Sequence, residues 1–238
     1  MGRDSSLNRI EPSIAVVRRW MVRTRLDTDA VLLNRLSIET HPGRLLVLIC
    51  LFAFISGAVT GSFGAFGGGN TGQIVYSAIK VPMLLLITFC LCLPSFLVVN
   101  SLLGLRSDLR IVLQALLVTQ SGIAIVLAAL SPCIAVWYAS DGDYQHAILA
   151  NVGAFAIASV VGQVVLRRCY RPMIAKNTRH QTMMRLWFFI YAAVGIQMGW
   201  VLRPFIGSPS AALHFFRQEA WSNAYIVVWR VLVRTLFG

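Results

Sequence analysis

The chain has 238 residues, 57% of them hydrophobic and only 13% charged. A domain of this size in water cannot bury so much apolar side chain, because small globules keep too large a share of their surface exposed; with a mean hydropathy of +0.71, the solvent must be largely lipid. The 21 Lys and Arg against 9 Asp and Glu give a net charge of +12. In a protein that crosses a membrane this reports topology rather than a nucleic-acid partner.

Residues 1–44 form a basic segment that carries Arg3, Arg9, Arg18, Arg19, Arg23, Arg25, Arg35 and Arg44. A secretory signal needs a short basic region followed directly by an apolar run, so no cleaved leader is expected. Pro12 opens a predicted helix with Ile14, Val17 and Met21 on one face and arginines around the rest. Such an amphipathic helix suits the surface of a bilayer containing anionic lipid, and a solvated cytosolic extension is the alternative.

Crossing ~30 Å of hydrocarbon as a helix takes about 20 apolar residues. Five runs without interior charge meet that length, at residues 45–63, 81–103, 111–135, 147–166 and 186–201. The expected fold class is therefore all-α, a polytopic membrane helix bundle over residues 45–205, with interfacial helices in the segments on either side. In the tail, residues 206–238, Arg230 and Arg234 cut the apolar stretch Trp221 to Leu236 too short to span. It reads as an interfacial helix, with re-entry into the membrane as the alternative.

Basic residues collect on the side that is not translocated. The N-terminal segment is rich in arginine, and the first loop has none, with Lys80 placed at its membrane edge. Arg106 and Arg110 follow, then a loop holding Asp141 and Asp143, then Arg167, Arg168, Arg171, Lys176, Arg179 and Arg185. This alternation predicts a cytoplasmic N-terminus, an odd number of spans and an extracytoplasmic tail, in the inner (plasma) membrane of a bacterial cell. Arg203, Arg217, Arg230 and Arg234 strain the rule, and snorkelling to the outer leaflet accommodates them.

Membrane helices associate where small residues let backbones approach. Ala53, Gly57, Gly61 and Ala65 form one such ridge, Ala150, Ala154, Ala158 and Gly162 a second, and Gly195 with Gly199 a shorter pair. Packing within the bundle is the first reading and a homo-oligomer seam the second. Pro82 and Pro94 fall in one span; Pro94, well inside it, predicts a kink.

Ionisable residues inside a bilayer usually mark ion or proton pathways. The five apolar runs contain no Asp, Glu or His, which argues against a proton-coupled pump or an intramembrane carboxylate protease. Their polar side chains are neutral: Asn100, Gln114, Thr119, Gln120, Asn151, Gln163 and Gln197. Such groups either line a polar path or hydrogen-bond between helices, at about 0.6 kcal/mol each. Cys90 and Cys92 point in different directions on a helix and have no nearby His, so no metal clip is expected; Cys169 reads as a plain thiol near the interface. The glycine cluster from Gly61 to Gly72 lacks the Gly-Lys-Ser/Thr of a phosphate loop and reads as a flexible connection. His41, His146, His180 and His214 fall in loops or at interfaces, which leaves no Ser/His/Asp set and no expected cofactor. Arg203 is placed to pair with lipid phosphate or with Asp141 or Asp143, within an aromatic belt of Trp200, Trp221, Tyr225 and Trp229.

The run Gln197-Met198-Gly199-Trp200-Val201-Leu202-Arg203-Pro204-Phe205-Ile206-Gly207-Ser208-Pro209 is followed by Phe215-Phe216-Arg217 and Asn223-Ala224-Tyr225. With Ser77-Ala78-Ile79-Lys80-Val81-Pro82, Leu93-Pro94-Ser95 and Asn100, it resembles a family of uncharacterised bacterial multi-pass inner-membrane proteins. The resemblance covers about residues 45–225 and implies location and architecture without an activity. In span count the family is similar to the Yip-type five-span trafficking proteins. Some such sequences are described as actin-binding, but the Arg-rich N-terminal helix lacks the Leu-Lys-Lys-Thr-type tail a short actin-binding motif needs.

The leading expectation is a non-enzymatic membrane-organising or accessory component whose partners are membrane lipids, anionic lipid at the basic N-terminal helix among them. A small-solute or lipid channel or transporter is the alternative, although no inverted repeat is evident. An enzyme acting on lipid head groups near Arg203 is third. A continuous polar cavity lined by Gln114, Gln120, Asn151 and Gln197 favours transport; amides paired from helix to helix favour a scaffold.

Overall fold

The computed structural model describes residues 41–66, 71–140, 143–203 and 205–206. The predicted N-terminal amphipathic helix and the interfacial tail helix lie outside these residues. Among the described residues all regular structure is helical: α1 (Pro42–Gly61), α2 (Gly72–Leu102), α3 (Leu109–Ser140), α4 (Tyr144–Lys176) and α5 (Arg179–Leu202). These five helices are long and apolar enough to cross a membrane, as the expected polytopic bundle requires.

The runs predicted at 111–135, 147–166 and 186–201 lie wholly within α3, α4 and α5, whereas α1 stops at Gly61, two residues short of its run, and α2 at Leu102, one short. Most helices extend past the runs at one end or both, because the backbone continues to bond internally once it reaches the interface. Pro42 begins α1, where its missing N–H costs nothing. The Asp143 carboxylate accepts from Gln145 N at 2.7 Å and caps α4. Gly104, with φ +73°, ends α2 in a turn that L side chains rarely adopt. Helix α2 runs unbroken through Pro82 and Pro94, and Pro94 is exposed on its outward face.

Two expectations need correction here. Because α2 begins at Gly72, the first loop ends well before residue 79, and Lys80 lies two turns inside the helix, fully buried. The glycine cluster is not simply a flexible connection: Gly61 ends α1, Phe63–Phe66 form a helical turn, and Gly72 starts α2. Phe63 anchors that turn by packing its ring edge-on against Tyr138, with centroids 5.0 Å apart.

The helices pack as a ring in the order α5, α2, α1, α3, α4, and the seam between α4 and α5 is the least closely packed. The first small-residue ridge closes the α1–α2 interface. A Cβ on Gly57 would stand 2.3 Å from the Ser77 carbonyl oxygen, and one on Gly61 would stand 2.7 Å from that of Gln73. The second ridge faces α3, where a Cβ on Gly162 would meet the Ile123 side chain at 2.6 Å. Both ridges serve packing inside the bundle. The third pair does not: a Cβ on Gly195 would meet only a Thr88 methyl carbon at 3.7 Å, and one on Gly199 would meet nothing within 4 Å. Outward faces carry large apolar residues such as Val98, Leu149, Val160 and Phe189, as expected where lipid is the solvent.

The alternation of helix direction places Arg44, Arg106, Arg110, Arg167, Arg168, Arg171, Lys176, Arg179 and Arg185 at one end of the bundle. Of the described basic residues only Lys80 and Arg203 lie towards the opposite end.

Candidate functional site: an apolar cavity inside the helix ring

The loose α4–α5 seam borders a cavity of about 750 Å³, a size common for sites that take small organic ligands. Its walls come chiefly from α2, α3, α4 and α5. Leu84, Leu85, Leu116, Ile123, Phe155 and Leu166 make it predominantly apolar, and Gly195 and Gly199 supply the room that side chains would otherwise fill. Val152, Phe188 and Ile196 line it and are also exposed on the outer face of the bundle. The cavity therefore reaches the lipid-facing surface beside the seam.

The end opposite the basic one is closed by Phe205 and Ile206. The Phe205 carbonyl accepts from the Ser77 hydroxyl and from Gln73 Nε2 at 3.4 Å, and the Tyr144 hydroxyl donates to the Ile206 carbonyl at 3.4 Å. Arg203, half-buried, borders the same end. Its guanidinium carbon lies 3.2 Å from the centroid of the Trp200 ring, so the aromatic face holds the cation in place. Asp143, one of the two expected partners of Arg203, caps α4, and Asp141 lies outside the described residues.

Of the polar residues singled out from the sequence, the structure brings only some together. Gln120 and Asn151 line the cavity, with Thr119 and Gln163 beside them. Gln120 donates through Nε2 to the Tyr191 hydroxyl on α5. Asn151 accepts from Thr60 Oγ1 of α1 at 3.1 Å and donates to the Tyr138 hydroxyl of α3 and to the Ala147 carbonyl at 2.8 Å. One amide thus ties α1, α3 and α4. Gln114 and Gln197 are half-buried elsewhere and are not cavity walls, and Pro94 is remote from it. Asn100 belongs to the basic end, where its Nδ2 donates to the Leu105 carbonyl at 3.1 Å and shapes the α2–α3 turn.

Sequence reasoning missed the partners. Tyr138, Tyr191 and Thr60 answer the amides, and Trp187 packs edge-on against Phe96 and Phe89, with centroids 5.2 and 6.1 Å away, at the inner end of the cavity. A Tyr or Thr inside an apolar run is a usable signal, since each brings a hydroxyl that needs a bond in lipid. Of the histidines expected in loops or at interfaces, His180 is a buried member of α5's first turn. Cys169, read as a plain thiol near the interface, is a free cysteine buried in the bundle.

Compared with protein-family models, with curated proteins and with solved structures, the chain matches none. Among the described residues no three His, Cys, Asp or Glu side chains gather where they could hold a metal ion. What the cavity offers is apolar volume, amides and hydroxyls of which Gln120 Nε2 and Asn151 are bonded while the Thr88 hydroxyl and Gln120 Oε1 are not, and, among the described residues, Arg203 at its rim.

Proposed function

We propose that the protein is a non-enzymatic accessory component of a bacterial inner membrane that holds one chain of a membrane lipid inside its helix ring. The N-terminus is cytoplasmic on this reading, since the basic end of the bundle is the end retained on that side. The observation that carries the proposal is the apolar cavity of about 750 Å³ that opens on the lipid-facing surface beside the α4–α5 seam. Gln120 and Asn151, which would line a polar path for a solute, instead bond Tyr191, Tyr138 and Thr60. That pairing leaves an apolar chain as the guest that loses least on entering.

The test is lipid analysis of the full-length protein purified in mild detergent, beside a Gly199→Leu variant that places a branched side chain in the cavity. Lipid retained near one equivalent by the natural chain and depleted in the variant is the expected result. Equal lipid in both overturns the reading.

One feature favours a second reading, movement of lipid between leaflets. Cavity-lining residues on α4 run from Tyr144 to Leu166, roughly 33 Å of helix and comparable to the whole hydrocarbon core. Reconstituted vesicles that expose a labelled inner-leaflet lipid to an external quencher faster than protein-free vesicles would select this reading over simple retention.

A further inference from the structure

We infer that the chain held in the cavity carries a hydroxyl group at mid-membrane depth, bonded by Thr88 and Gln120. This rests on the lipid-holding reading above and adds the chemical class of the guest: an elongated aliphatic chain with one alcohol along its length.

Buried hydroxyls in these helices commonly bond their own backbone. Thr60, Thr119 and Ser131 each donate to the carbonyl four residues back, at 3.0, 2.8 and 2.9 Å, and Ser121 to the one three back at 2.8 Å. Two cavity-lining side chains break the pattern. Thr88 on α2 is 1% exposed and Gln120 on α3 is 4% exposed, yet the Thr88 hydroxyl and Gln120 Oε1 make no hydrogen bond. A polar atom enclosed without a partner is costly, and hydrocarbon offers none.

Both side chains meet the same stretch of α5. Gln120 Nε2 donates to the Tyr191 hydroxyl, and one turn further on the Thr88 methyl carbon lies 3.7 Å from where a Cβ on Gly195 would stand. Tyr191 and Gly195 line the cavity as well. Rotation about the Thr88 Cα–Cβ bond to another staggered position moves its hydroxyl to where the methyl sits, beside the space left by Gly195. A guest hydroxyl both donates and accepts, so it answers Thr88 in either sense and Gln120 in either orientation of its amide.

Depth decides where on the guest that hydroxyl belongs. Tyr191 and Gly195 lie roughly 18 and 12 Å along α5 from Arg203, near the middle of a hydrocarbon core about 30 Å thick. A lipid head group stays at the interface and does not reach this level. The cavity walls continue inward to Leu166 and Trp187 and outward to Phe205 and Ile206. The hydroxyl therefore sits part-way along an apolar chain, with hydrocarbon on both sides of it.

The test uses the full-length protein and three lysophosphatidylcholines of one acyl length, with bound lipid counted by native mass spectrometry. They carry an oleoyl chain, a ricinoleoyl chain with its mid-chain hydroxyl, or an α-hydroxyoleoyl chain with its hydroxyl beside the head group. The natural chain is expected to bind the ricinoleoyl lipid roughly tenfold more tightly than the other two, the fold-change of one well-made hydrogen bond. Thr88→Val and Gln120→Met should each weaken that preference while leaving oleoyl binding as it is in the natural chain. Thr88→Val is expected to fold normally, and it decides the matter if Gln120→Met does not fold. Equal binding of the oleoyl and ricinoleoyl lipids, tighter binding of the α-hydroxyoleoyl lipid, or a preference that survives either substitution overturns the mid-chain hydroxyl and leaves the lipid-holding reading intact. A natural chain that binds none of the three, as when another segment of the chain fills the cavity, overturns both.

Discussion

His180 Nε2 on α5 lies 3.1 Å from Asp108 Oδ2 in the α2–α3 connection, with the imidazole side chain 1% exposed and the carboxylate 39%. Next to it, Arg179 Nη1 donates to the Leu103 carbonyl at 3.1 Å. The first turn of α5 is thus tied to the α2–α3 connection by two consecutive residues. This matters because α5 is the least buried helix of the bundle, and because its seam with α4 borders the cavity. The Tyr170 ring meets the imidazole edge-on, with centroids 6.4 Å apart, and completes the enclosure.

Removing the imidazole leaves both a void and a carboxylate without its partner. His180→Ala is expected to destabilise the protein by about 2 to 3 kcal/mol. Asp108→Ala, which removes the exposed partner, should cost about 1 kcal/mol. Thermal unfolding of both variants in one detergent tests the order; an equal or reversed order would show that the pair does not anchor α5.

Gly57 and Gly199 offer a paired comparison. A methyl group at Gly57 meets the Ser77 carbonyl at 2.3 Å and the Ala78 Cα at 2.9 Å, both backbone atoms. Gly57→Ala should therefore separate α1 from α2 and destabilise by about 2 kcal/mol or more. Gly199→Ala adds a methyl in open space and a better helix former, and should leave the melting temperature unchanged or raise it. Similar losses at both sites would contradict the close α1–α2 approach.

Asn151 joins three helices through its amide. Asn151→Leu keeps the approximate size and removes the bonds to Thr60 and Tyr138, which should cost about 1 to 2 kcal/mol given the modest strength of interhelical hydrogen bonds in membranes. Thr60→Val in the same background should add little, since its link to Asn151 is already gone. A double-mutant cycle measures this, and strict additivity would deny the coupling.

Thr88 gives the opposite sign. Its hydroxyl is buried and makes no hydrogen bond, while its methyl group faces Gly195. Thr88→Val removes an unsatisfied polar atom at nearly constant volume and should leave stability unchanged or raise it by up to about 1 kcal/mol. A clear loss in the thermal melt would show that the hydroxyl has a partner in the folded protein.

The spans were legible because each depends on a local property, an apolar run of sufficient length. Legibility failed at the ends of the runs. Lys80 looks like a boundary in a hydropathy window, yet Gln73 and Ser77 extend α2 outward by bonding each other and the Phe205 carbonyl. Of the candidate site, Gln120, Asn151 and Arg203 proved to be cavity walls, whereas Asn100, Gln114 and Gln197 did not. Polarity marks that a residue needs a partner but carries no record of which helix supplies it. The glycine pairs make the same point, since Gly57 and Gly61 meet a backbone while Gly199 meets space.

The helical bundle, its five helices fit to cross a membrane and the uneven distribution of charge between its two ends all follow from residue order. Hydrocarbon thickness and the need to satisfy every backbone group in lipid act on contiguous residues, so order along the chain suffices for that much. Residue order does not reveal that Thr60 meets Asn151 across 91 positions or that His180 finds Asp108 across 72; the packed fold does. It alone showed that the α4–α5 seam stays loose enough to leave a cavity with Arg203 at its rim. Those outcomes depend on which faces of distant helices come within a few ångströms, and side-chain packing in three dimensions sets that distance.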